Sequence, residues 1–482
     1  MRLKDLVERL GPVRVEGPIS REVRGITTDS RVVTPGMLYV ALPESDRDYN
    51  RSIHAAVDRG AVAVVTEKSQ LGKGAPRAAA IHVRDAKAAF ARAASSWYSD
   101  PSTKLEIIGV TGQGATETAL ILKRLLCTLK RKAGLITPTR HEVGERFFPA
   151  PPIPRDALET QRLLAQMARM DCQVCVIELG DDPLAEAHAL GLGLAKLILC
   201  GNAQSASVQQ PRGCKTQLIA PVGAYADHGC RHYGIGAGEV RAERLHCSRQ
   251  GAVFQLAIDD KAAHCAVESL GYQRVIQFLA AIAAIELDRA ELEAVCCYAR
   301  SITAIPGRLQ RVAEGDGFEV YVDGAANAAA IGRLLNAVRP FAHQRLIVVG
   351  GASASDSAAQ RQALGEALAP ADVAIVTSNN PGNESPEIIA HQVARGVQAV
   401  KAGQVLIEVD RARAIEVAIG MAQRGDLILI TGKGEATTDN RNGVIAPFDD
   451  AEVARRILQY RQLVSGLDPG GTRRETTPQF VR

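Results

Sequence analysis

A glycine-containing stretch at residues 109–120, GVTGQGATETAL, has the composition of a loop that binds phosphate. It follows the apolar run KLEIIGV and precedes the helical pattern TALILKRLLCTLKRK, so it joins a buried strand to the start of a helix. Such loops use glycines to bring backbone N–H groups onto phosphate oxygens, a lysine to reach the β and γ phosphates, and a Ser or Thr hydroxyl to bind Mg²⁺. The stretch therefore raises the question of nucleotide binding.

Only the glycines of such a loop are present. Gly109 and Gly112 are in place, but Ala115 stands where the last glycine belongs. Thr116 takes the place of the lysine, and Glu117 takes the place of the metal-binding hydroxyl. Two unit charges about 4 Å apart interact by roughly 4 kcal/mol at an effective dielectric constant near 20, so losing the lysine and adding a carboxylate opposes ATP by several kcal/mol. The residues predict that ordinary ATP binding is lost.

Two other interpretations of the stretch are open. A dinucleotide-binding GxGxxG would use Gly112, Gly114 and Glu117, but its third position must be small, and no acidic residue follows about 20 residues later. A plain strand-to-helix turn would need the glycines for backbone geometry and for nothing more.

The elements that would position this loop belong to three predicted domains, because 482 residues exceed what one hydrophobic core usually serves. Residues 1–88 alternate short strands and helices. Residues 89–303 add buried strand runs separated by helices, which indicates a mostly parallel sheet covered on both faces. Residues 304–462 repeat that pattern with five more strand runs. Residues 463–482 are rich in Gly, Pro and Thr without periodicity, and they predict a flexible tail.

Individual segments give more specific predictions. The N-terminal MRLKDLVERLGPV predicts a short amphipathic helix and not a signal peptide. The proline-rich residues 140–156 and the segment QSASVQQPRGC, which follows Asn202, predict loops. The strand runs are MLYVAL, AVAVVTE and AAIHV, then KLEIIGV, VCVIEL and AKLILCGN, and finally FEVYVDG, RLIVVGG, DVAIVTSNN, QVLIEVD and DLILITGKG.

Composition excludes several classes of function. The net charge of +4 is small for this length and aromatic residues make up only 4%, so a nucleic-acid surface is not expected. No stretch approaches 18 consecutive apolar residues, so no membrane insertion is expected. Ten cysteines in a long chain without an export signal predict reduced thiols and a cytoplasmic protein. Cys172 and Cys175, in a lone CxxC, and the adjacent Cys296 and Cys297 are interpreted as core thiols.

Near the N-terminus, TTDSRVVTPGMLYVAL is followed by AAVDRGAVAVV. With this pattern and the order of its domains, the chain resembles the Mur ligases from about residue 20 to residue 460. It is most similar to the MurE type, which adds the third residue to UDP-MurNAc-dipeptide. The resemblance implies an α/β, three-domain architecture: a small N-terminal domain for the UDP-sugar, a central P-loop-like parallel sheet for ATP and metal, and a C-terminal Rossmann-like domain for the incoming amino acid.

The resemblance also implies site residues. Four residues would contact the uridine diphosphate: Thr28, Asp29, Ser30 and Arg31. A hydroxyl, backbone amides and a guanidinium suit a diphosphate and a uracil edge, although a turn capped by Asp and Ser is the alternative. The degenerate nucleotide site would contain Gly109, Gly112, Thr116, Glu117, Asn202, Arg274, Arg308 and Asp323, with Glu178 as a metal ligand. The degenerate acceptor site would contain Asn380, Pro381, Gly434 and Glu435.

The chain departs from the family pattern mainly at residues that would face a ligand. The threonine loop, the serine and histidine segment and the carbamylated lysine of the central domain are absent. Gly382 replaces the arginine that recognises diaminopimelate, and Glu435 and Ala436 replace a His-Glu pair. Because scaffold residues survive and ligand-facing residues do not, the pattern favours a fold still in use without its reaction.

The first hypothesis is therefore a catalytically inactive Mur-ligase homologue in cytoplasmic peptidoglycan precursor synthesis. It would bind a protein partner or a UDP-MurNAc peptide, with neither ATP nor Mg²⁺ as a cofactor. The alternative is an active ATP-dependent amide ligase that adds an amino acid to a UDP-MurNAc peptide through an altered nucleotide site. In that case Glu178, Asp181 and Asp182 would form a substitute metal cluster. A repurposed enzyme with unrelated chemistry is the third possibility.

Overall fold

The structure is a computed structural model that describes residues 1–43, 46–68, 78–149, 156–201, 216–224, 229–268, 270–314, 317–400 and 404–465. The chain divides into two compact units, each composed of three segments. The first contains Met1–Arg244, Gln255–His264 and Ile276–Tyr298, and the second contains Leu245–Phe254, Cys265–Val275 and Ala299–Arg482. Most of the predicted tail, residues 466–482, lies outside the described residues.

The first unit begins with a small five-stranded sheet. Its strands follow the order β1-β5-β4-β3-β2, in which β2 to β5 are parallel and β1 is antiparallel to β5. The predicted N-terminal helix is confirmed, because its apolar side chains, Leu3, Leu6, Val7 and Leu10, are buried. The elements are α1 (Leu3–Leu10), β1 (Arg14–Glu16), β2 (Gly25–Thr27), β3 (Met37–Val40), α2 (Asp46–Asp58), β4 (Ala63–Thr66), β5 (Ala79–His82) and α3 (Ala86–Trp97).

An eleven-stranded sheet follows, in the order β16-β15-β14-β13-β12-β11-β6-β10-β7-β8-β9. Strand β6 lies between β10 and β11 and runs parallel to both, so the loop that follows it emerges at the carboxyl edge of parallel strands. The elements are β6 (Glu106–Gly112), α4 (Ala115–Thr128), β7 (Ala133–Ile136), β8 (Arg140–Val143), β9 (Arg146–Pro149), α5 (Ala157–Arg169), β10 (Val174–Glu178), α6 (Pro183–Leu190), β11 (Lys196–Cys200), β12 (Gln217–Pro221), β13 (Arg231–Ile235), β14 (Val240–Ser248), β15 (Gly251–Ile258), β16 (Lys261–Val267), α7 (Gln273–Ala283) and α8 (Arg289–Thr303).

The prediction of a loop over residues 140–156 is wrong for the first half of that segment. Strands β8 and β9 form an antiparallel hairpin there, and Gly144 adopts a left-handed φ of 60° in its turn. Because β9 is the edge strand, it tolerates Pro149 at its end, where no ladder N–H is required. Residues 150–155 lie outside the described residues, and so do Asn202 and the predicted loop after it.

The second unit contains the wound sheet expected from residue 304 onward. Its order is β17-β18-β22-β19-β20-β21, parallel throughout except for β17. Two hydrophobic clusters form the core, one on each face of this sheet, where helices pack against the strands. The elements are β17 (Gln310–Glu314), β18 (Glu319–Asp323), α9 (Ala328–Val338), β19 (Leu346–Gly350), α10 (Ala358–Leu368), β20 (Val373–Val376), α11 (Pro386–Val400), β21 (Gln404–Ile407), α12 (Arg411–Met421), β22 (Leu427–Thr431), β23 (Thr438–Arg441), β24 (Val444–Pro447) and α13 (Asp450–Ser465).

The cysteines fit the core interpretation only in part. Cys172 and Cys175 are buried as expected, but Cys296 is half-buried and Cys297 is exposed. The interpretation of Cys297 as a core thiol is therefore wrong, because this residue lies on the outer side of α8. No helix in the described ranges is long and apolar enough to cross a membrane.

A fully buried ion pair joins two helices of the second unit. Arg411, at the start of α12, donates from Nε and Nη2 to the two carboxylate oxygens of Asp450, over 2.7 and 2.6 Å. The same Nη2 donates to the backbone oxygen of Thr431, over 2.7 Å. The side chains are only 1% and 0% exposed, so neither charge has access to water. The start of α13 is thus tied to α12 and to the end of β22.

The Asp450→Asn variant should lower the free energy of unfolding by about 3 to 5 kcal/mol, because it leaves the Arg411 guanidinium buried without a counter-ion. Urea unfolding followed by circular dichroism measures this loss. Arg413→Gln, on the same helix, removes an arginine that is 72% exposed and should cost less than about 1 kcal/mol. Equal losses in the two variants would contradict the assigned importance of the buried pair.

Candidate functional site

The loop after β6 keeps the backbone shape of a phosphate-type turn. Gly112 and Gly114 adopt left-handed φ angles of 93° and 86°, and Gly114 is the N-cap of α4. Gly109 is required for packing, since a Cβ there would lie 3.0 Å from side-chain carbons of Leu179 and Leu197. The turn and the helix N-terminus are therefore present, as the sequence predicts.

At residue 116, where a phosphate-binding loop usually carries its lysine, this chain has a threonine that makes a different contact. Thr116 Oγ1 donates a hydrogen bond of 2.8 Å to Glu178 Oε2, at the end of β10. Next to this contact, Thr111 Oγ1 donates to the backbone oxygen of Gly180 over 2.6 Å, so β6 is tied to the segment that follows β10. A neutral hydroxyl bonded to a carboxylate thus replaces the ammonium group that would reach phosphate oxygens.

Glu117 adds a second carboxylate beside this loop. It lies in the first turn of α4 and is half-buried. A negative side chain is stabilised near the positive end of the helix dipole, where a phosphate would otherwise be stabilised. Gln277 also approaches the loop, because its Nε2 lies 2.7 Å from where a Cβ of Gly114 would be. A carboxylate therefore lies in the first turn of α4, next to a loop whose glycines keep the backbone of a phosphate-type turn.

The expected cluster of three carboxylates is not formed. Asp182 is the N-cap of α6 and accepts from the backbone N–H of Ala185 over 3.2 Å. Glu178 instead accepts from Thr116. Within the described ranges, no group of three or more His, Cys, Asp and Glu side chains could hold a metal ion. Glu178 as a single metal ligand stays a prediction.

The predicted uridine-diphosphate residues form an Asp-capped turn. Asp29 caps a short 3₁₀ helix, Ser30–Val32, and accepts from the backbone N–H of Arg31 over 2.9 Å. The Arg31 guanidinium donates to both carboxylate oxygens of Asp29, over 2.9 and 2.8 Å. These hydrogen bonds from Arg31 lower the pKa of Asp29 below its usual value. The turn explains Asp29 structurally, whereas the Arg31 side chain is 85% exposed and Thr28 is half-buried.

In the second unit, the structure brings Arg274, Arg308 and Asp323 together around one turn. Arg274 Nη2 donates to the backbone oxygen of Arg308 over 2.6 Å. Asp323, at the end of β18, accepts from the backbone N–H groups of Leu309 and Ala325, over 2.7 and 2.8 Å. Asp323 therefore fixes the turn that carries the Arg308 side chain.

The loop that carries Gly434 and Glu435 packs directly against this turn. A Cβ on Gly307, whose φ is left-handed at 65°, would lie 2.1 Å from the backbone nitrogen of Glu435. A Cβ on Gly434 would lie 2.6 Å from the Cα of Gly324. Predicted nucleotide and acceptor residues are thus adjacent within this unit.

The predicted acceptor residue Asn380 belongs to a buried polar network. Lys433 Nζ contacts Asp439 Oδ1 at 2.7 Å, Asn380 Oδ1 at 3.1 Å and the backbone oxygen of Thr438 at 2.8 Å. Asn380, with a left-handed φ of 52°, also donates its backbone N–H to Asp439, and Pro381 beside it is buried. Burial lowers the pKa of Lys433. The network holds the loop at Asn380 against the segment after β22. It also uses the Nζ of Lys433 in contacts with three protein oxygens.

Sequence reasoning missed Asp439 and Arg441, which complete this network. Arg441 Nε donates to Asp439 Oδ2 over 2.8 Å, so one carboxylate accepts from two cations. These hydrogen bonds outweigh burial and lower the pKa of Asp439. The available signal was the acidic and basic residues close together in TTDNRNG, which begins two residues after GKG.

The chain is thus an α/β protein with a phosphate-type loop in one sheet and a second, wound sheet in its C-terminal part. Residues 307–434 match the family model described as Mur ligase, glutamate ligase domain. UDP-N-acetylmuramoyl-L-alanyl-D-glutamate–2,6-diaminopimelate ligase from Geobacillus thermodenitrificans is 30% identical, over 96% of this chain and 100% of that protein. The ligase of the same name from Streptomyces coelicolor is 30% identical, over 95% of this chain and 97% of that protein. The chain belongs to the Mur ligase family.

Solved structures show the same fold. A ligase of that name superposes with a TM-score of 0.64 at 21% identity, over 96% of this chain and 99% of that chain. MurF from Thermotoga maritima in complex with ADP gives a TM-score of 0.51 at 16% identity, over 91% of this chain and 99% of that chain. The expected α/β, Mur-ligase-like fold is confirmed.

The double variant Thr116→Lys with Glu117→Thr should bind ATP at least about tenfold more tightly than the parent chain, because it adds an ammonium group and removes a carboxylate at the loop. Calorimetric titration with ATP and Mg²⁺ measures the two affinities. A control, Gln459→Lys with Glu452→Thr, makes the same change of charge on exposed positions of α13 and should leave the affinity unchanged. An unchanged affinity in the loop variant would show that these two residues do not limit nucleotide binding.

Proposed function

We propose that the chain acts in peptidoglycan precursor synthesis as an ATP-dependent amide ligase, which adds an amino acid to a UDP-MurNAc peptide through an altered nucleotide site. One observation carries this proposal: the similarity at 30% identity covers the whole length of a relative that is named as such a ligase. Since that ligase is matched over its full length, each of its substrate-binding regions would have a counterpart in this chain. We place this activity in the cytoplasm, where the nucleotide-linked precursor would be found.

The proposal assigns a role to each predicted group of residues. The turn at Asp29, with Ser30 and Arg31, would hold the diphosphate of the UDP-sugar. Arg308 and Asp323 would face the nucleotide, and the loops at Asn380 and Gly434 would face the incoming amino acid. Amide formation from a carboxylate and an amine is unfavourable in water, and ATP would supply the free energy.

The nucleotide loop fits ATP only in part. The left-handed glycines Gly112 and Gly114, at the start of α4, provide the backbone that a phosphate contacts. The lysine contact is replaced by the bond from Thr116 to Glu178. An active ligase would therefore hold the polyphosphate through backbone N–H groups, and its Mg²⁺ through Glu178 with water ligands.

A second candidate is favoured by this replaced contact. Glu117 and Glu178 lie where the polyphosphate would lie, and Thr116 stands in place of the lysine that would bind it. On this ground the chain would be an inactive homologue that binds a UDP-MurNAc peptide or a protein partner of cell-wall synthesis, without ATP or Mg²⁺. Both candidates share the UDP-sugar turn and differ in ATP turnover.

A turnover assay on the full chain separates the two candidates. The assay uses UDP-MurNAc-dipeptide, ATP, Mg²⁺ and a panel of amino acids that includes diaminopimelate, because Gly382 replaces the arginine that would recognise diaminopimelate. The ligase proposal expects ADP release that requires both the dipeptide and one of the amino acids, together with a tripeptide product by mass spectrometry. Reactions without either substrate are the controls. Saturable binding of UDP-MurNAc-dipeptide without ADP release would instead support the inactive binding protein. Absence of both turnover and binding would reject the ligase and the UDP-MurNAc-peptide binder, and would leave only the binding of a protein partner.

The Arg31→Ala variant should weaken binding of UDP-MurNAc-dipeptide by about tenfold or more, since a charge-assisted hydrogen bond to a diphosphate contributes about 1.5 to 3 kcal/mol. Ser30→Ala should cost less. Arg14→Ala is the matched control, because Arg14 is 63% exposed and pairs with Glu16, two residues away, as Arg31 pairs with Asp29. Titration calorimetry measures the dissociation constants. Equal affinities for Arg31→Ala and the parent would mean that the turn has only a structural role.

A further inference from the structure

A cavity of about 270 Å³ lies within the second unit, and none of the predicted site residues lines it. Its walls come from the turn between β14 and β15, the end of α8, and strands β17 and β18. Three arginines and one acidic residue provide its charged lining: Arg249, Arg300, Arg311 and Glu268. Tyr321 and Leu309 contribute less polar wall.

Each arginine is held by a partner that fixes its orientation. Arg249 donates from Nε to the backbone oxygen of Phe341 over 2.6 Å, and from Nη2 to that of Gly425 over 2.9 Å. Arg300 donates from Nη1 to the backbone oxygen of Gln250 over 3.1 Å. Backbone oxygens thus orient both guanidinium groups, and Arg249 also lies beside a buried carboxylate.

A single buried carboxylate is shared between two of the arginines. Glu319, whose side chain is 6% exposed, accepts from Arg311 Nη2 over 2.9 Å and lies 3.6 Å from Arg249 Nε. With Glu268 on the wall, three guanidinium groups face two carboxylates. Among these five described groups the positive charges outnumber the negative charges by one, and water screens charges in a cavity less than at an open surface.

We propose that this cavity binds a small oxyanion, a carboxylate or a phosphate group, as a second ligand site distinct from the predicted substrate sites. Guanidinium groups donate paired N–H bonds that match the spacing of two oxygens on such an anion. Arg300 is the principal contact, because its side chain reaches the cavity from an exposed position on α8. The inference does not depend on ligase activity, since it uses none of the residues assigned to that reaction.

Titration calorimetry on the full chain tests the site with inorganic phosphate and, separately, with succinate. One of the two should bind with a dissociation constant below about 1 mM, and added NaCl should weaken it. Arg300→Gln should weaken that binding at least about tenfold, and Arg300→Lys should have an intermediate effect, because it keeps the charge and loses the paired donors. Arg289→Gln is the control: it lies at the other end of α8, is 84% exposed, and should leave the affinity unchanged.

The two anions distinguish a phosphate ligand from a carboxylate ligand, and either result supports the site if Arg300→Gln weakens the binding. Circular dichroism of Arg300→Gln should match that of the parent, because Arg300 is exposed. The absence of binding by both anions up to about 10 mM would overturn the proposal. Binding that Arg300→Gln leaves unchanged would also overturn it, because the anion would then lie elsewhere, for example at the loop after β6.

Discussion

The close approach of three backbone segments at glycines is the constraint on which the candidate site of the second unit depends. Gly307 and Gly434 have left-handed backbones, and a Cβ on either would lie well inside contact distance of neighbouring backbone atoms. Only glycine allows the turn before β17, the end of β18 and the loop after β22 to meet at this distance. Arg308 and Asp323 extend from segments that this contact fixes, so their placement follows from the fold and does not require a ligand.

Packing and backbone geometry also explain the glycines of the phosphate-type loop without a ligand. Gly109 is required because leucine side chains pack against its Cα, and Gly112 and Gly114 are required because their φ angles are left-handed. These glycines would be needed in a chain that binds no nucleotide. Their presence therefore predicts the turn reliably and predicts ATP poorly. The residues that distinguish the two cases are Thr116 and Glu117, which the backbone geometry does not dictate.

Much of the fold could be predicted from the sequence, because buried parallel strands appear as continuous apolar runs bounded by glycine and polar residues. All five predicted strand runs of the second unit are strands. The hairpin of β8 and β9 is hard to predict because the prolines of residues 140–156 indicate a loop more strongly than Gly144 indicates a turn, although an edge strand tolerates a terminal proline. The pairs Arg411–Asp450 and Lys433–Asp439 join residues from separate elements or loops, and an apolar pattern carries no information about such contacts.

Some residues that match the Mur ligase pattern are explained by contacts within the fold, and others would be explained only by a ligand. Lys433 and Asn380 are buried partners in one network, so their retention is explained by the contacts of their own loops. Arg31 is different, because its side chain is 85% exposed and an ion pair in water contributes little to stability. The fold alone gives little reason to keep an arginine there. A ligand of the turn at Asp29, such as the proposed UDP-sugar, would provide such a reason.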